Sequence, residues 1–361
     1  MSRRLRRFGV LSLISALIVV LVPLTTSAKN DDPVVMTRNL YLGGDIGLAI
    51  GASDPGALTV AAADIYLSVV ATDFNTRAAQ IAEEIEATSP DLIGLQEVAL
   101  WESGDFGDTA PADTVEFDYL EILLDALADL GLGYSPAVVQ NNFSAEVPAS
   151  FSSGGFPVLR DVRLTQRNVI LVKDGISYAN VQSEHFETNQ VYPNIGGIPG
   201  NDLVDMRGWV SIDVEMASKN RHYRFVNTHL ESFVAPVRDI QAQELVDGPL
   251  STNLKVVAVG DFNSPPTGPE SGAYQILTRA NKGKMRDAWV GANGSDPGFT
   301  CCQAANLKNS TDETDTRIDL ILTKTPAMKS LEASLTGTSP PSPGGLWNSD
   351  HHGVVARLRV P

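Results

Sequence analysis

Lys255-Val256-Val257-Ala258-Val259-Gly260-Asp261-Phe262-Asn263 is an apolar run that ends in an acid and an amide. A β-branched stretch of this length, closed by Gly260, reads as a strand buried in a sheet. The polar residues at its end emerge at the sheet edge and not in a core. Asp261 and Asn263, two apart on an extended segment, point to one side. Taken alone, residues 261–266 are equally an ordinary turn.

The same pattern recurs in both directions. Leu92-Ile93-Gly94-Leu95 runs into Gln96-Glu97, and Phe225-Val226 runs into Asn227-Thr228-His229. Asn39 ends the first apolar strand, Arg317-Ile318-Asp319 opens another, and Ser349-Asp350-His351-His352 leads into the last. Each singly has a bland reading, since a strand-end Glu is usually solvated and a lone His is usually structural. Turn chemistry does not account for so many of them together.

Strands are expected at Val34–Leu40, Leu92–Val98, Asn168–Lys173, Gly208–Val214, Tyr223–Leu230, Lys255–Asp261, Arg317–Thr323 and Gly353–Val360. Phe74, Ala78, Ile81 and Ile85 lie on one helical face before Pro90, and Leu120, Leu123, Leu124, Leu127 and Leu130 precede Gly131. A third helix is expected near Val237–Val246. Helices interleaved with strands indicate an α/β architecture, with helices on the outer faces of two packed sheets. Gln140–Thr165 and Glu187–Asp205, rich in Asn, Gly, Ser and Pro, read as long surface loops that would carry substrate selectivity.

Arg3, Arg4, Arg6 and Arg7 precede an apolar run from Val10 to Leu24 and then the small residues Thr26, Ser27 and Ala28. This is the pattern of an export signal cleaved after Ala28, and the run is shorter than a stable membrane anchor requires. The expected organisation is therefore a signal peptide over 1–28 and one domain over 29–361. The formal charge of the 361 residues is −16, and the leader holds four Arg and no acid, so the exported chain stands at −20. Such a charge opposes non-specific binding to nucleic acid or anionic lipid. Cys301 and Cys302 are the two cysteines. Adjacent as they are, they exclude a long-range disulfide within the chain and a four-Cys zinc site, leaving a vicinal disulfide or two buried thiols.

The order Asn39, Gln96-Glu97, Asn227-Thr228-His229, Gly260-Asp261-Phe262-Asn263, Arg317-Ile318-Asp319, Ser349-Asp350-His351 resembles the endonuclease/exonuclease/phosphatase superfamily over nearly the whole exported chain. The resemblance implies a DNase-I-like, four-layered α/β sandwich of two mixed sheets flanked by helices. It also implies metal-assisted attack of water on a phosphoester, in which charge on the phosphate oxygens and leaving group is neutralised. By it, Glu97 is the principal metal carboxylate, with Asn39 and Asp350 beside it. Asp261 orients or deprotonates the water, and Asn263 donates to a phosphate oxygen. His229 and His351 contact the phosphate, and Asp319 holds His351. Oxygen ligands favour Mg²⁺ or Mn²⁺, with Ca²⁺ accommodated if coordination expands.

Several polar residues fall outside this set. His352 is expected to face away from His351, His185 and His222 to lie on the surface, and Asp45 to sit in a Gly-Gly-Asp turn. Arg167 is expected to be solvated, and Tyr134 is the candidate for the family's phosphate-binding Tyr. The substrate divides three ways, into nucleic acid, phospholipid or a small phosphoester. A nuclease would draw on scattered basic residues such as Arg160, Arg163 and Arg167. A lipid phosphodiesterase needs an exposed apolar hairpin, and no Trp-rich tip is evident. The non-enzymatic alternative is a module that binds a phosphorylated ligand without turnover. No oligomerisation signature is visible, so a monomer is expected.

Overall fold

The computed structural model describes residues 32–360 apart from 108, 154, 217–221, 280, 282, 325–327 and 343. The expected leader and its cleavage point lie outside the described residues. Among the described residues the strands in chain order are β1 Val34–Asn39, β2 Leu92–Gln96, β3 Leu100–Asp105, β4 Thr114–Asp118, β5 Tyr134–Ser153, β6 Phe156–Lys173, β7 Tyr178–His185, β8 Gln190–Tyr192, β9 Leu203–Asp205, β10 Gly208–Glu215, β11 His222–His229, β12 Lys255–Asp261, β13 Met285–Asp287, β14 Asp319–Lys324, β15 Lys329–Thr336 and β16 Gly353–Arg359. The helices are α1 Gly47–Ile50, α2 Pro55–Ala71, α3 Phe74–Thr88, α4 Tyr119–Asp129, α5 Ala235–Asp247, α6 Gly272–Thr278 and α7 Ala288–Asn293.

One sheet has the order β15-β16-β1-β2-β6-β3-β4, with β5 added on β6, and the other has the order β13-β14-β12-β11-β10-β7. Both are mixed: β1–β2 and β11–β12 are parallel and their other neighbours antiparallel. Strand alternation sorts the core into layers. Val35, Leu92, Ile170 and Val172 of the first sheet meet Val210, Ile212, Val257 and Val259 of the second. On the outer face of the first sheet, Met36, Ile93 and Leu171 pack under α2, α3 and α4 through Ala62, Ile81 and Leu123. On the outer face of the second, Val226, Ala258 and Leu320 pack under α5 and α6 through Leu245 and Leu277. Helix, sheet, sheet, helix is the four-layered sandwich expected.

The sheets approach most closely at Gly94. A Cβ there would stand 2.4 Å from Val259 Cγ2 and 2.8 Å from Asn227 Oδ1. The space it leaves is crossed by the Asn227 amide, which donates at 2.9 Å to both Leu95 O and Val169 O and accepts from Gln96 Nε2 at 2.6 Å. Asn227 therefore pins one sheet to the other directly beneath the rim where the candidate residues emerge.

Two expectations are corrected. Residues 140–165 are not a surface loop: they belong to the long β5–β6 hairpin, which continues past the end of β2, itself paired with β6 at Val169. Phe143, Ala145, Val147, Ala149 and Phe151 alternate along β5 and face the same core as α2. Pro148 is tolerated because β5 is an edge strand, paired with β6 alone, so a missing N–H costs no ladder bond on its open side. Residues 187–205 hold the small hairpin β8–β9 and a 3₁₀ turn at Ile195–Gly197. Helix α2 was not foreseen, because apolar residues surround it on every side: Leu58, Ala62, Ile65 and Val69 are buried while Val60, Leu67 and Val70 are exposed. No single helix among the described residues is long and apolar enough to cross a membrane.

Candidate active site

The strand order delivers the polar strand ends to one rim. His229, Asp261 and Asp319 stand side by side across β11, β12 and β14 in direct register, and Asn39 stands beside Gln96 across β1 and β2. Residues 349–351 enter β16, the antiparallel neighbour of β1, at the same end.

Asn39, fully buried, links the two sheets. Its Nδ2 donates to Glu97 Oε1 at 3.3 Å and to Asp261 Oδ2 at 3.1 Å, while its Oδ1 accepts from Tyr41 N at 2.9 Å. Glu97 Oε2 accepts from Leu42 N at 2.8 Å. Tyr41, Glu97 and Asn263 all have left-handed backbones, with φ of +59°, +54° and +49°. Such conformations cost about 1 kcal/mol or more and persist where surroundings enforce them, as at functional sites. Asn263 turns back so that its N–H donates to Asp261 Oδ1 at 2.9 Å and its Nδ2 to Leu230 O at 3.0 Å. One amide hydrogen of Asn263 remains for a ligand.

The two histidines differ. His351 Nδ1 lies 2.7 Å from Asp319 Oδ2, and its Nε2 lies 3.9 Å from both Asp261 Oδ2 and Asp350 Oδ1. Burial alone would lower its pKa, but Asp319, Asp350 and Asp261 outweigh it and hold the ring well above the usual value. His229 Nε2 is 3.5 Å from Asp261 Oδ2 and its Nδ1 has no partner. Burial, then the charges of Arg207 and His351, push its pKa well down. The pair therefore offers one cationic and one neutral imidazole to the same space.

Four carboxyl groups share that space. Burial, then the charge of Asp319, raises Asp261 to about 7. Burial and the charge of Asp350 raise Glu97, and burial raises Asp350 itself. Burial outweighs the cations near these acids, His351 above all, and the hydrogen bonds of Arg38 and Arg77 go elsewhere. Arg38 donates to His351 O and, at 2.9 Å, to Glu84 Oε1. Arg77 donates to Leu40 O, Asn348 O, Tyr41 O and Thr72 O. Asp261, Asp319 and His351 also bring one ligand atom each within 4.8 Å of one another. The close contact of His351 Nδ1 with Asp319 occupies two members of that trio, so Glu97 and Asp350 are the better cation ligands.

The remaining candidates lie elsewhere. Tyr134 is not in the site: its hydroxyl donates to Pro90 O at 2.6 Å, at the opposite end of the first sheet. Arg167 is buried, not solvated, and bonds Asp118, Val98 O and Ala99 O, fixing the turn that follows Glu97. His352 turns away to Asp312 Oδ2 at 3.0 Å, and Asp45 caps its own turn by accepting from Gly47 N. His185 and His222 are exposed. Missed in the sequence was Arg207, buried and bidentate on Asp205 beside Gly208, the register partner of His229. Ser349 was missed as well; its hydroxyl donates to Asn39 O and accepts from His351 N. For Arg207 the available signal was its place immediately before the strand expected at Gly208–Val214.

The model of the Endonuclease/Exonuclease/phosphatase family matches residues 68–351. No curated protein sequence matches. Among solved structures, an endonuclease/exonuclease/phosphatase family protein from Bacteroides thetaiotaomicron is 15% identical with a TM-score of 0.56, covering 91% of this chain and 94% of its own. A mannosyl-6-phosphatase from the same species is 15% identical with a TM-score of 0.55, covering 90% and 99%. Truncated TDP2 from Caenorhabditis elegans is 18% identical with a TM-score of 0.52, covering 91% and 97%. At these identities the likeness is one of fold.

Proposed function

Because the chain belongs to the endonuclease/exonuclease/phosphatase family, we propose that it is a secreted, divalent-metal-dependent hydrolase of phosphoester bonds. The observation that carries this reading is the convergence of Glu97, Asp261, Asp319 and Asp350 with His229 and His351 at one sheet rim, where Asp319 and His351 touch at 2.7 Å. Glu97 and Asp350 would hold the cation, with Asn39 orienting Glu97 and keeping a second Oδ1 lone pair as a further oxygen donor. Hard oxygen ligands suit Mg²⁺ or Mn²⁺, and Ca²⁺ at higher coordination. When bound, the ion would neutralise phosphate charge as a Lewis acid.

The chain's own residues supply the rest. Asp261, titrating near neutrality and anchored by Asn39 and Asn263, orients the attacking water and takes its proton. Cationic His351 and the free amide hydrogen of Asn263 stabilise the phosphate oxygens. Asp319 holds the His351 ring in place, and neutral His229 donates one ring N–H toward the phosphate.

The substrate is proposed to be a small soluble phosphoester. The arginines named for a nuclease have internal partners: Arg163 pairs with Glu102, Arg167 with Asp118, and Arg160 donates to Ser103 Oγ. One observation favours a lipid ester instead. Phe156, 74% exposed, tips the β5–β6 hairpin with exposed Val158 and Leu159, and an apolar cavity of about 270 Å³ lies at the hairpin's base between Leu58, Ile65, Trp101, Phe143 and Leu164.

Hydrolysis with Mg²⁺ or Mn²⁺ is to be measured on single-stranded and duplex DNA, RNA, sphingomyelin, a hexose 6-phosphate and bis(p-nitrophenyl) phosphate. The sugar phosphate is included because a mannosyl-6-phosphatase shares the fold. Turnover of the sugar phosphate or the nitrophenyl diester above the polymers and lipid is expected; preference for sphingomyelin would transfer the assignment to lipid, and silence throughout would defeat it. Secretion is checked on the exported material, whose N-terminal sequence is expected to begin at Lys29; a start upstream of Leu24 would contradict it.

A further inference from the structure

Cys301 and Cys302 are joined as a vicinal disulfide at the edge of this site. Cys301 is buried and bridges in β fashion to both Thr316 and His351, whereas Cys302 is exposed. Both sulfurs and a ring nitrogen of His351 lie within 4.8 Å of one another. The surrounding backbone holds them there: Cys301 N donates to Thr316 O, Asp315 N and Thr316 N donate to Cys301 O, Gln303 N donates to Asp350 O, and His352 N donates to Thr300 O. The segment that carries the sulfurs is thus laced to the segment that carries His351. None of the steps above uses the sulfurs.

The three groups are the ligand types of a soft cation, unlike the oxygen set of Glu97 and Asp350. Ligand atoms around one Zn²⁺ stand about 3.3–3.8 Å apart for bonds of about 2.0–2.3 Å. The spacing here, at most 4.8 Å, stands near that range.

We propose that Cys301, Cys302 and His351 form a redox-gated site for a soft divalent cation such as Zn²⁺, shut while the sulfurs are joined and opened by a dithiol reductant. The reductant supplies two electrons and two protons. The S–S bond between Cys301 and Cys302 breaks, two thiols form, and the reductant leaves as its own disulfide. Zn²⁺ then displaces both thiol protons and one proton of the His351 imidazolium to solvent, three in all, and is held by two thiolates and the imidazole, with water completing the shell. Capture of the imidazole withdraws His351 from the phosphate; that consequence rests on the proposed function, whereas the binding itself does not. Exposed Cys302 gives the reductant its point of attack.

The full chain, oxidised or reduced and then freed of reductant without air, is equilibrated with one equivalent of Zn²⁺, desalted and assayed for bound metal and, with Mg²⁺ supplied equally to all samples, for turnover of bis(p-nitrophenyl) phosphate. Reduced Cys302→Ser, altered at an exposed position, is treated alongside. The reduced wild type is expected to retain about one zinc more than either the oxidised protein or the variant, and to lose tenfold or more of its turnover. Equal zinc in all three would overturn the site, and that count does not depend on any phosphoester being cleaved. Extra zinc with unchanged turnover would overturn the capture of His351.

Discussion

Asp261→Asn is expected to lower kcat by about 10²- to 10³-fold with little loss of fold. The substitution keeps the shape and removes the carboxylate proposed to accept a proton from water. Asp261 is 1% exposed, and its oxygens already take bonds from Asn39 Nδ2 and Asn263 N. The amide of Asn would face Asn39 Nδ2 donor to donor, a local cost of about 1–2 kcal/mol. Against this, the variant no longer buries a charge beside Asp319, the pressure that lifts the Asp261 pKa to about 7. The two effects oppose each other, so the melting temperature should stay within a few degrees of wild type while steady-state turnover collapses. Turnover within threefold of wild type would remove Asp261 from the chemistry.

Arg77→Ala is expected to lower stability by about 3–5 kcal/mol and, for a domain this large, the melting temperature by on the order of 10 °C. Arg77 is fully buried in α3, and among the described residues its hydrogen bonds go to carbonyls and not to a carboxylate. Its guanidinium instead donates to Thr72 O at 2.8 Å, Leu40 O at 2.6 Å, Asn348 O at 3.1 Å and Tyr41 O at 3.3 Å. The rings of Phe74, Tyr119 and Tyr41 surround it at 4.8, 5.7 and 5.8 Å. Truncation leaves four carbonyls facing a cavity and frees both the turn that bonds Glu97 and the segment that leads to Asp350. Arg77→Met, which keeps the volume, should recover the packing share of the loss but not the tethering share. Thermal unfolding followed by circular dichroism reads both variants; a shift under about 2 °C for the alanine would show that the tether is redundant.

The candidate rim was legible because polar residues interrupt apolar strands. Gly260-Asp261 and Thr228-His229 break a hydrophobic run with groups that no core accepts, and such breaks survive any error in strand boundaries. What escaped was whatever depends on a distant partner. Arg77 looks like any polar residue on an amphipathic helix until Leu40 and Asn348 come within reach of it. Arg167 reads as solvated until Asp118 arrives from another strand. The β5–β6 hairpin escaped for a local reason: Ala145 and Ala149 bury too little to stand out among Ser, Asn and Pro, although the period of two from Phe143 to Phe151 was there to be counted. Tyr134 was misplaced because a single Tyr before a strand does not say which end of the sheet it occupies. Helix α2, apolar on all sides, carries no periodicity from which a face could be read.

The clustering of raised acids beside Glu97 also explains why the site should depend on a cation. Burial makes the charged forms of Glu97 and Asp350 costly, and with the guanidinium groups of Arg38 and Arg77 turned to carbonyls and Glu84, a bound cation would favour those charged forms. The most direct measurement is therefore turnover of bis(p-nitrophenyl) phosphate by protein stripped with EDTA, as Mn²⁺ or Mg²⁺ is added back. No turnover is expected in the stripped protein, with a saturable return on added ion. Undiminished turnover after stripping would contradict the dependence on a cation.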